Sequence, residues 1–432
     1  MKKNYFTKNL FFFAIGLASL QAFAQDLTNG IFILNEGTAG SGNASVSFLE
    51  PEMPNAFSDI YTLANPEAEP LGDVAQSLSF QGDRAYIALN MSNTVKVVNR
   101  TTFAHIATIS EGLENPRYIA FHGDKGYITN WGSGTDTTDD YIAILDLATN
   151  TITGTIPAAE GVERIIEHDG KIYVAHQGGY GHGNTISVID TTTDTIEDTI
   201  TVGDVPNRMV IQNGFLYVLC GGKPMWAPQE TNGALVKVSL EDYSVAESTL
   251  FEGLHPANLN IDGDGNFYFS SDADVFKSTL AAPATHTLVT SLTAQGAYGI
   301  YGMDLIDNSL YVADAGNYVS PGTAYVFSTS GTQLGSYQAG VIPNGFYKAE
   351  SVMGLPGHEG YEVTVYPNPT AERFFLTTAN IPDVIVYDYS GKEVFNGKYT
   401  PDGINVAAFA KGIYLVTISE GTSQTTRKLV VK

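Results

Sequence analysis

VERIIEHDGKIYVAHQGGYGHGNTISVIDTTTDTIEDTITVGDVPNRMVI, residues 162–211, reads as four short strands and the start of a fifth. RIIEH (164–168) turns at Asp169-Gly170 into KIYVAH (171–176), a Gly-rich loop leads to TISVID (185–190), and TTTD leads to IEDTITV (196–202). Each run is rich in β-branched or aromatic residues and is bounded by turn formers. VPNRMVI then begins the same pattern again.

The pattern recurs along the chain. Its second strand is found as IFILN (31–35), AYIAL (85–89), GYITN (126–130), IYVAH (172–176), LYVLC (216–220), NFYFS (266–270) and LYVAD (310–314). Its first strand is found as QSLSF (76–80), RYIAF (117–121), RIIEH (164–168), RMVIQ (208–212), ANLNI (257–261), GMDLI (302–306) and GFYKA (345–349). Four strands in each repeat of roughly 40 to 55 residues predict an all-β fold, a seven-bladed β-propeller over residues 25–349. The first-strand series starts one repeat later than the second-strand series. Residues 345–349 are therefore expected to pair with the N-terminal strands near 31–63, closing the ring by strand exchange with no open edge at the join. First and second strands read as nearly continuous apolar runs, as in strands covered on both faces. One blade cannot bury both faces alone, so ring closure is expected to carry the stability.

The chain opens with a basic start, an apolar run of about fifteen residues and Ala22-Phe23-Ala24 as a small-residue cleavage site, so residues 1–24 read as a secretory signal peptide. The run is too short for a comfortable membrane span, and no run of 18 apolar residues follows, so the mature chain is expected to have no transmembrane segment. Net charge is −24, and losing Lys2, Lys3 and Lys8 with the leader makes it three units more negative. So acidic a chain repels phosphate backbones, which argues against nucleic-acid or anionic-membrane binding. The single Cys220 allows no intrachain disulfide and reads as a small buried hydrophobe.

Residues 350–360 break the repeat with Gly and Pro and read as a linker. Residues 361–432 hold about seven short strands (VTVYP, RFFLTT, VIVYD, KEVF, INVAAF, IYLVTI, RKLVV), a density that predicts a small Ig-like β-sandwich. VTVYPNPT (363–370), the Gly391-Lys392 turn, KGIYLVTI (411–418) and KLVVK (428–432) together resemble the type A C-terminal (Por) sorting domain of type IX secretion cargo in Bacteroidota. The positions that carry the resemblance are Tyr366, Pro367, Asn368, Pro369, Gly412, Tyr414 and Lys428. The resemblance implies recognition by the type IX translocon through residues 361–432. It further implies export across the outer membrane, removal of the module, and release or attachment at the cell surface.

The repeat region resembles the YncE-like, DUF5074-type seven-bladed propellers, and among them the cell-surface cobalamin-binding propellers of Bacteroidota of the BtuG kind. LNEG (34–37), LGDVAQSLSF (71–80), NMSNTVKVVNRTT (90–102) and NPRYIAF (115–121) carry this likeness. It implies capture of a corrinoid and delivery to an outer-membrane transporter. Those binders are usually lipoproteins. No Cys follows the cleavage site here, so the sorting module would replace the lipid as the route to the surface.

In a propeller, the loops from second to third strands and those leading into each first strand emerge on one rim. Trp131 and Trp226 fall in second-to-third-strand loops, as do His176, Gln177, Tyr180 and His182 of HQGGYGHG and Asp314, Asn317 and Tyr318. Arg117, Arg164 and Arg208 stand at the start of three successive first strands. Aromatic rings with a few convergent polar groups on a rigid scaffold suit a large, partly apolar ligand, and Arg forks grip carboxylate, amide or phosphate oxygens. The competing readings are loop packing for the tryptophans and structural hydrogen bonds to loop carbonyls for the arginines. His122 and His168 are expected on the opposite rim.

His176 with His182 lacks a third metal ligand in sequence, Asp262-Gly263-Asp264-Gly265-Asn266 lacks the bidentate Glu of a calcium loop, and Asp136, Asp139 and Asp140 read as a solvated acidic loop. No nucleophile elbow, phosphate loop or paired-Cys site is present, so no cofactor, metal or catalytic residue is assigned. The sequence points first to an exported binding protein. A lactonase-like hydrolase and an adhesion or protein-interaction platform are the alternatives.

Overall fold

The computed structural model describes residues 27–50, 56–179, 181–349, 363–378, 382–388, 392–420 and 423–432 of the 432-residue chain. The stretches expected to be a signal peptide (1–24) and a linker (350–360), with Tyr180 and Gly391, lie outside the described residues. What is described falls into two compact units, one within residues 27–349 and one within 363–432. Among the described residues no helix is long and apolar enough to cross a membrane.

The first unit is all-β. Six four-stranded antiparallel sheets succeed one another, each built from strands consecutive in sequence. The sheet of the opening stretch comprises Val162–His168, Lys171–His176, Thr185–Asp190 and Thr195–Thr201. Its second and third strands are buried along almost their whole length, whereas its fourth is exposed at every position but Ile200. That gradient follows composition: KIYVAH and TISVID present apolar groups to both faces, while TIEDTIT alternates acids and threonines toward water. The first strands differ from the continuous apolar runs expected of them. Pro116–His122, Val162–His168 and Pro206–Gln212 are only partly buried, because each carries polar side chains on the surface the first strands share.

First strands pack side by side in chain order from Ala75–Gln81 onward, and Pro343–Ala349 packs against both Gly302–Ile306 and Ala75–Gln81. Pro343–Ala349 also pairs antiparallel with Gly30–Asn35, Ile33 opposite Phe346, in a three-stranded sheet with Ser45–Leu49. The place of a fourth strand there is taken by one bridge, Phe48 to Phe57. The stretch near 31–63 is thus not all strand. Ile60–Ala64 is a short helix, capped by Asp59 on the Thr62 N–H, and its Ile60 and Tyr61 sink into the core with Phe32, Phe48 and Phe103.

A register shift recurs where six of the seven first strands begin. It leaves Gln76, Arg117-Tyr118, Glu163-Arg164, Asn207, Asn258-Leu259 and Asn344 out of step with the neighbouring second strand. Each shift is a β-bulge, a device that re-aims side chains. Val74, Asn115, Gly161, Val205 and Ile342, just before five of these strands, take positive φ. Each of them accepts, on its carbonyl, the N–H of the residue that follows the paired second strand. For Val74, Val205 and Ile342 a left-handed backbone is unusual for a β-branched residue. The same bulge-forming turn is therefore imposed even where sequence resists it.

Among the described residues the second unit has seven strands in two sheets. Val365–Tyr366, Arg373–Leu376 and Ile404–Asn405 make one; Glu393–Lys398, Asp383–Asp388, Gly412–Glu420 and Ser423–Val431 make the other. Phe374, Leu376, Val384, Val386, Val416, Ile418 and Leu429 form its core.

Candidate functional site

Arg117 and Arg164, at bulges, and Arg208, directly after one, each reach another first strand. Arg117 Nε and Nη2 donate to Glu163 at 2.8 and 2.9 Å, a bidentate pair whose side chains are 11% and 5% exposed. Burial alone would lower the Arg117 pKa, but the facing Glu163 carboxylate raises it. The Arg117 guanidinium also lies 3.9 Å from the centre of the half-buried Trp131 ring. Arg208 Nη2 donates to Asp304 two sheets away, and the other Asp304 oxygen accepts the Phe346 N–H at 3.0 Å. Arg164 stacks 4.1 Å over the Tyr118 ring. The shared inner surface thus brings together three of the residues expected from sequence, and it joins Trp131 to them.

Sequence reading missed the partners. Tyr118, Glu163, Asp304 and Tyr347 lie on first strands, and Glu36 and Tyr301 stand beside them. Glu36, directly after Gly30–Asn35, accepts from Tyr301 Oη at 2.8 Å and Asn344 Nδ2 at 3.0 Å. Burial pushes its carboxyl up despite both hydrogen bonds. Gln76 Nε2 donates to Tyr118 Oη at 3.0 Å, and the Leu78 N–H donates to Tyr347 Oη at 3.3 Å. The available signal was a polar or aromatic residue within the first strands, RY, ER, NR, MD and FY, although Asp304 and Tyr347 stand further along their strands than Arg117 and Glu163.

The loop candidates divide. Trp226 stands in solvent, 82% exposed, on a loop closed by the Thr231 N–H on the Lys223 carbonyl. Tyr318, at φ 62°, packs edge-on against Tyr301 with centroids 5.8 Å apart, beside the Glu36 cluster. Asp314 is occupied in its own turn, accepting the Gly316 N–H. Gln177 is held through its backbone on Gly161. His176 is 1% exposed, and its ring nitrogens meet the Ala159 carbonyl and the Ser187 hydroxyl at 3.1 and 2.8 Å. Burial lowers its pKa, so it is a neutral ring fixed inside the sheet with nothing to offer the rim. His182 is exposed.

Among the described residues no three His, Cys, Asp or Glu side chains stand where they could hold a metal ion. Asp262 spends its carboxylate on the N–H groups of Asp264 and Asn266 and on the Asn266 amide, which makes DGDGN a hairpin turn. Asp140 is 4% exposed and accepts the N–H groups of Gly161 and Val162 at 2.6 and 3.3 Å; burial pushes its pKa up to about 6. Cys220 is buried, and burial pushes its thiol up to about 12.

In the second unit the YPNP stretch is tied to the terminal strand. Asn368 Nδ2 donates to the Lys428 carbonyl at 2.7 Å and its Oδ1 accepts the Val430 N–H at 2.9 Å, while the Thr370 N–H bonds the Val430 carbonyl. Both Tyr366-Pro367 and Asn368-Pro369 are cis. Gly412 begins the strand opposite Val431, and Tyr414 is buried with its hydroxyl on the Ala410 carbonyl. Tyr366 and the Lys428 side chain are exposed.

Residues 364–432 match the secretion system C-terminal sorting domain, which directs the chain by type IX secretion to the cell surface or beyond. Comparison with curated proteins finds no match. Among solved structures, similarity extends to a quinonprotein alcohol dehydrogenase-like protein from Bacteroides thetaiotaomicron, at 15% identity over 76% of this chain and 80% of that one, TM-score 0.56. It extends also to a functionally unknown protein from Desulfotomaculum acetoxidans, at 12% identity over 74% and 99%, TM-score 0.55. Hydrazine synthase from Kuenenia stuttgartiensis aligns at 15% identity over 64% and 92%, TM-score 0.52. At such identities the likeness is one of fold, and that fold is propeller-like. The match that spans most of the chain is to a domain of unknown function over residues 29–334, and by it the chain belongs to the DUF5074 family.

Proposed function

We propose that this chain is an exported seven-bladed propeller, closed where Pro343–Ala349 takes the inner place beside Gly30–Asn35, and that it captures a ligand at its bulge-bearing rim and central channel. The ligand proposed is a corrinoid, handed on to an outer-membrane transporter. Binding, with no chemistry done on the ligand, is the proposed activity. The observation that carries this reading is the convergence of Arg117 on Trp131 and Arg164 on Tyr118 at one end of the first strands, with Tyr301 and Tyr318 beside them. Rings supply contact area to a flat, apolar body, and guanidinium forks supply donors to its peripheral amide oxygens. The sequence likeness in LNEG, LGDVAQSLSF and NPRYIAF adds the corrinoid itself.

Isothermal calorimetry of the purified chain against a corrinoid, with haem and glycans in parallel, tests the reading. Saturable heat with the corrinoid alone is the expected outcome. No heat at high micromolar corrinoid ends the assignment. A hydrolase is the second reading, favoured by one observation, the buried Glu36 carboxyl held between Tyr301 and Asn344 with its pKa raised by burial. Lactone turnover that Glu36→Gln abolishes would replace binding by catalysis.

A further inference from the structure

The three channel arginines are not equivalent. Arg117 is neutralised by both oxygens of Glu163, and Arg208 by Asp304. The third nearby carboxylate, Glu36, is taken by Tyr301 and Asn344. Among the described residues Arg164 has no carboxylate within ion-pair distance and no hydrogen-bond acceptor, only the Tyr118 face beneath it. Two more donors stand with it. Tyr118 Oη accepts from Gln76 and Tyr347 Oη accepts from the Leu78 N–H, so each phenol is held through its oxygen while its own hydrogen has no acceptor among the described residues. Burial, first among the causes, raises the pKa of both phenols, so both keep that hydrogen at neutral pH. Gln76 and Leu78, two residues apart on Ala75–Gln81, hold Tyr118 and Tyr347 respectively, so both phenols lie against that one strand, with Arg164 over the Tyr118 ring.

A half-buried cation beside two unspent hydroxyl donors is complementary to an acceptor that carries negative charge. The net charge of −24 does not oppose this, because exposed acids beyond about 8–10 Å are screened, while Glu163 and Asp304 are paired with arginines and Glu36 is held by two hydrogen-bond donors. We propose that Arg164, Tyr118 and Tyr347 form an oxyanion subsite that takes a carboxylate or phosphate group of the ligand. This deepens the reading of the channel as a ligand site and rests on it, but not on the ligand being a corrinoid. Arg164 is then the anchor for the charged end, and the Arg117–Trp131 pair flanks the rest.

Equilibrium dialysis of the full chain against radiolabelled inorganic phosphate and, separately, acetate tests the subsite. One saturable site is expected for at least one of them, and the tighter of the two tells a phosphate from a carboxylate group. Arg164→Gln should weaken it at least about tenfold, the loss expected for a charged hydrogen bond. Arg164→Lys keeps the charge without the fork and should restore it only in part. Tyr118→Phe removes one hydroxyl, should weaken binding about threefold or more, and keeps the test alive should Arg164→Gln not fold. Undiminished binding by a cooperatively melting Arg164→Gln or Tyr118→Phe, or no saturable uptake of either anion below about 10 mM, overturns the subsite. Anion binding without corrinoid binding removes the corrinoid reading alone; corrinoid binding without anion binding removes the subsite alone.

Discussion

The Arg117 guanidinium lies 3.9 Å from the centre of the Trp131 ring while Nε and Nη2 of the same group are bonded to Glu163. One side chain thereby ties the start of a first strand to the loop after its partner strand and to the next sheet. A ring fixed in this way presents a contact surface at little entropic cost on binding. The pair with Glu163 is what holds the fork in place, and its near-complete burial makes it sensitive to the loss of either member.

Glu163→Gln should therefore destabilise the protein by about 3 kcal/mol, since removing one charge strands the other in a poorly solvated site. Adding Arg117→Met to that variant should recover most of the loss, because two neutral side chains of similar volume cost little. Urea unfolding of the parent, the two single variants and the double variant measures this. A double variant no more stable than Glu163→Gln would mean that Arg117 contributes through Trp131 and not through the ion pair.

The tryptophans should separate stability from binding. Trp226 is 82% exposed, so Trp226→Ala should leave the melting temperature unchanged yet weaken corrinoid binding by about 2 kcal/mol if the bound ligand covers the ring. Trp131→Ala also removes the platform under Arg117 and should cost about 1–2 kcal/mol of stability. His122→Ala and His168→Ala, at the other ends of their strands, should change binding little. Calorimetry on the four variants checks this, and a larger effect from either histidine than from Trp226 would move the site to the opposite rim.

The repeat was legible because second strands are buried on both faces and so read as unbroken apolar runs, LYVLC and IYVAH among them. The offset between the first- and second-strand series likewise anticipated the pairing of Gly30–Asn35 with Pro343–Ala349. The bulges were not legible. Five of the six follow a turn with positive φ just before the strand, and Val74, Val205 and Ile342 carry no local sign of it. Nor does sequence say that Glu163 neutralises Arg117 and leaves Arg164 unspent, since those pairings depend on which first strands become neighbours. His176 looked like a rim ligand because it ends a strand beside a Gly-rich loop; its ring turns inward to Ser187 instead.

Deleting residues 340–349 should abolish cooperative unfolding. Gly30–Asn35 would lose its ladder partner, and Leu78 and Ala75 would lose their bonds to Tyr347 and Asn344. A truncated chain melting within a few degrees of the parent would mean that the first unit does not depend on this strand.

Removing residues 361–432 should leave the first unit folded but stranded in the periplasm of a type IX-competent host. Asn368→Ala is the finer probe. It cuts both bonds that the Asn368 side chain makes to the terminal strand, and should lower surface display while leaving ligand affinity unchanged. Immunoblotting of surface and periplasmic fractions reads the outcome, and normal display of the truncated chain would deny the module its role.

Asp140 sets a pH dependence whose sign can be worked out. Its carboxyl, 4% exposed, holds the N–H groups of Gly161 and Val162, yet burial raises its pKa to about 6. A carboxyl raised above its unfolded value binds a proton more readily in the native state. Between about pH 6 and pH 4 this group therefore favours folding more as the pH falls, and above pH 6 its ionised form is a constant cost. The window of about two units corresponds to a few kcal/mol at most. Asp140→Asn has no such titration. Its stability relative to the parent should therefore be greater at pH 7.5 than at pH 4 by on the order of 2 kcal/mol, other acids cancelling in the comparison. Urea unfolding of both proteins across that range reads the difference. Because Asp140 grips the turn that leads into the Glu163-Arg164 bulge, a pH-independent difference would show that this turn tolerates an ionised carboxylate at no cost.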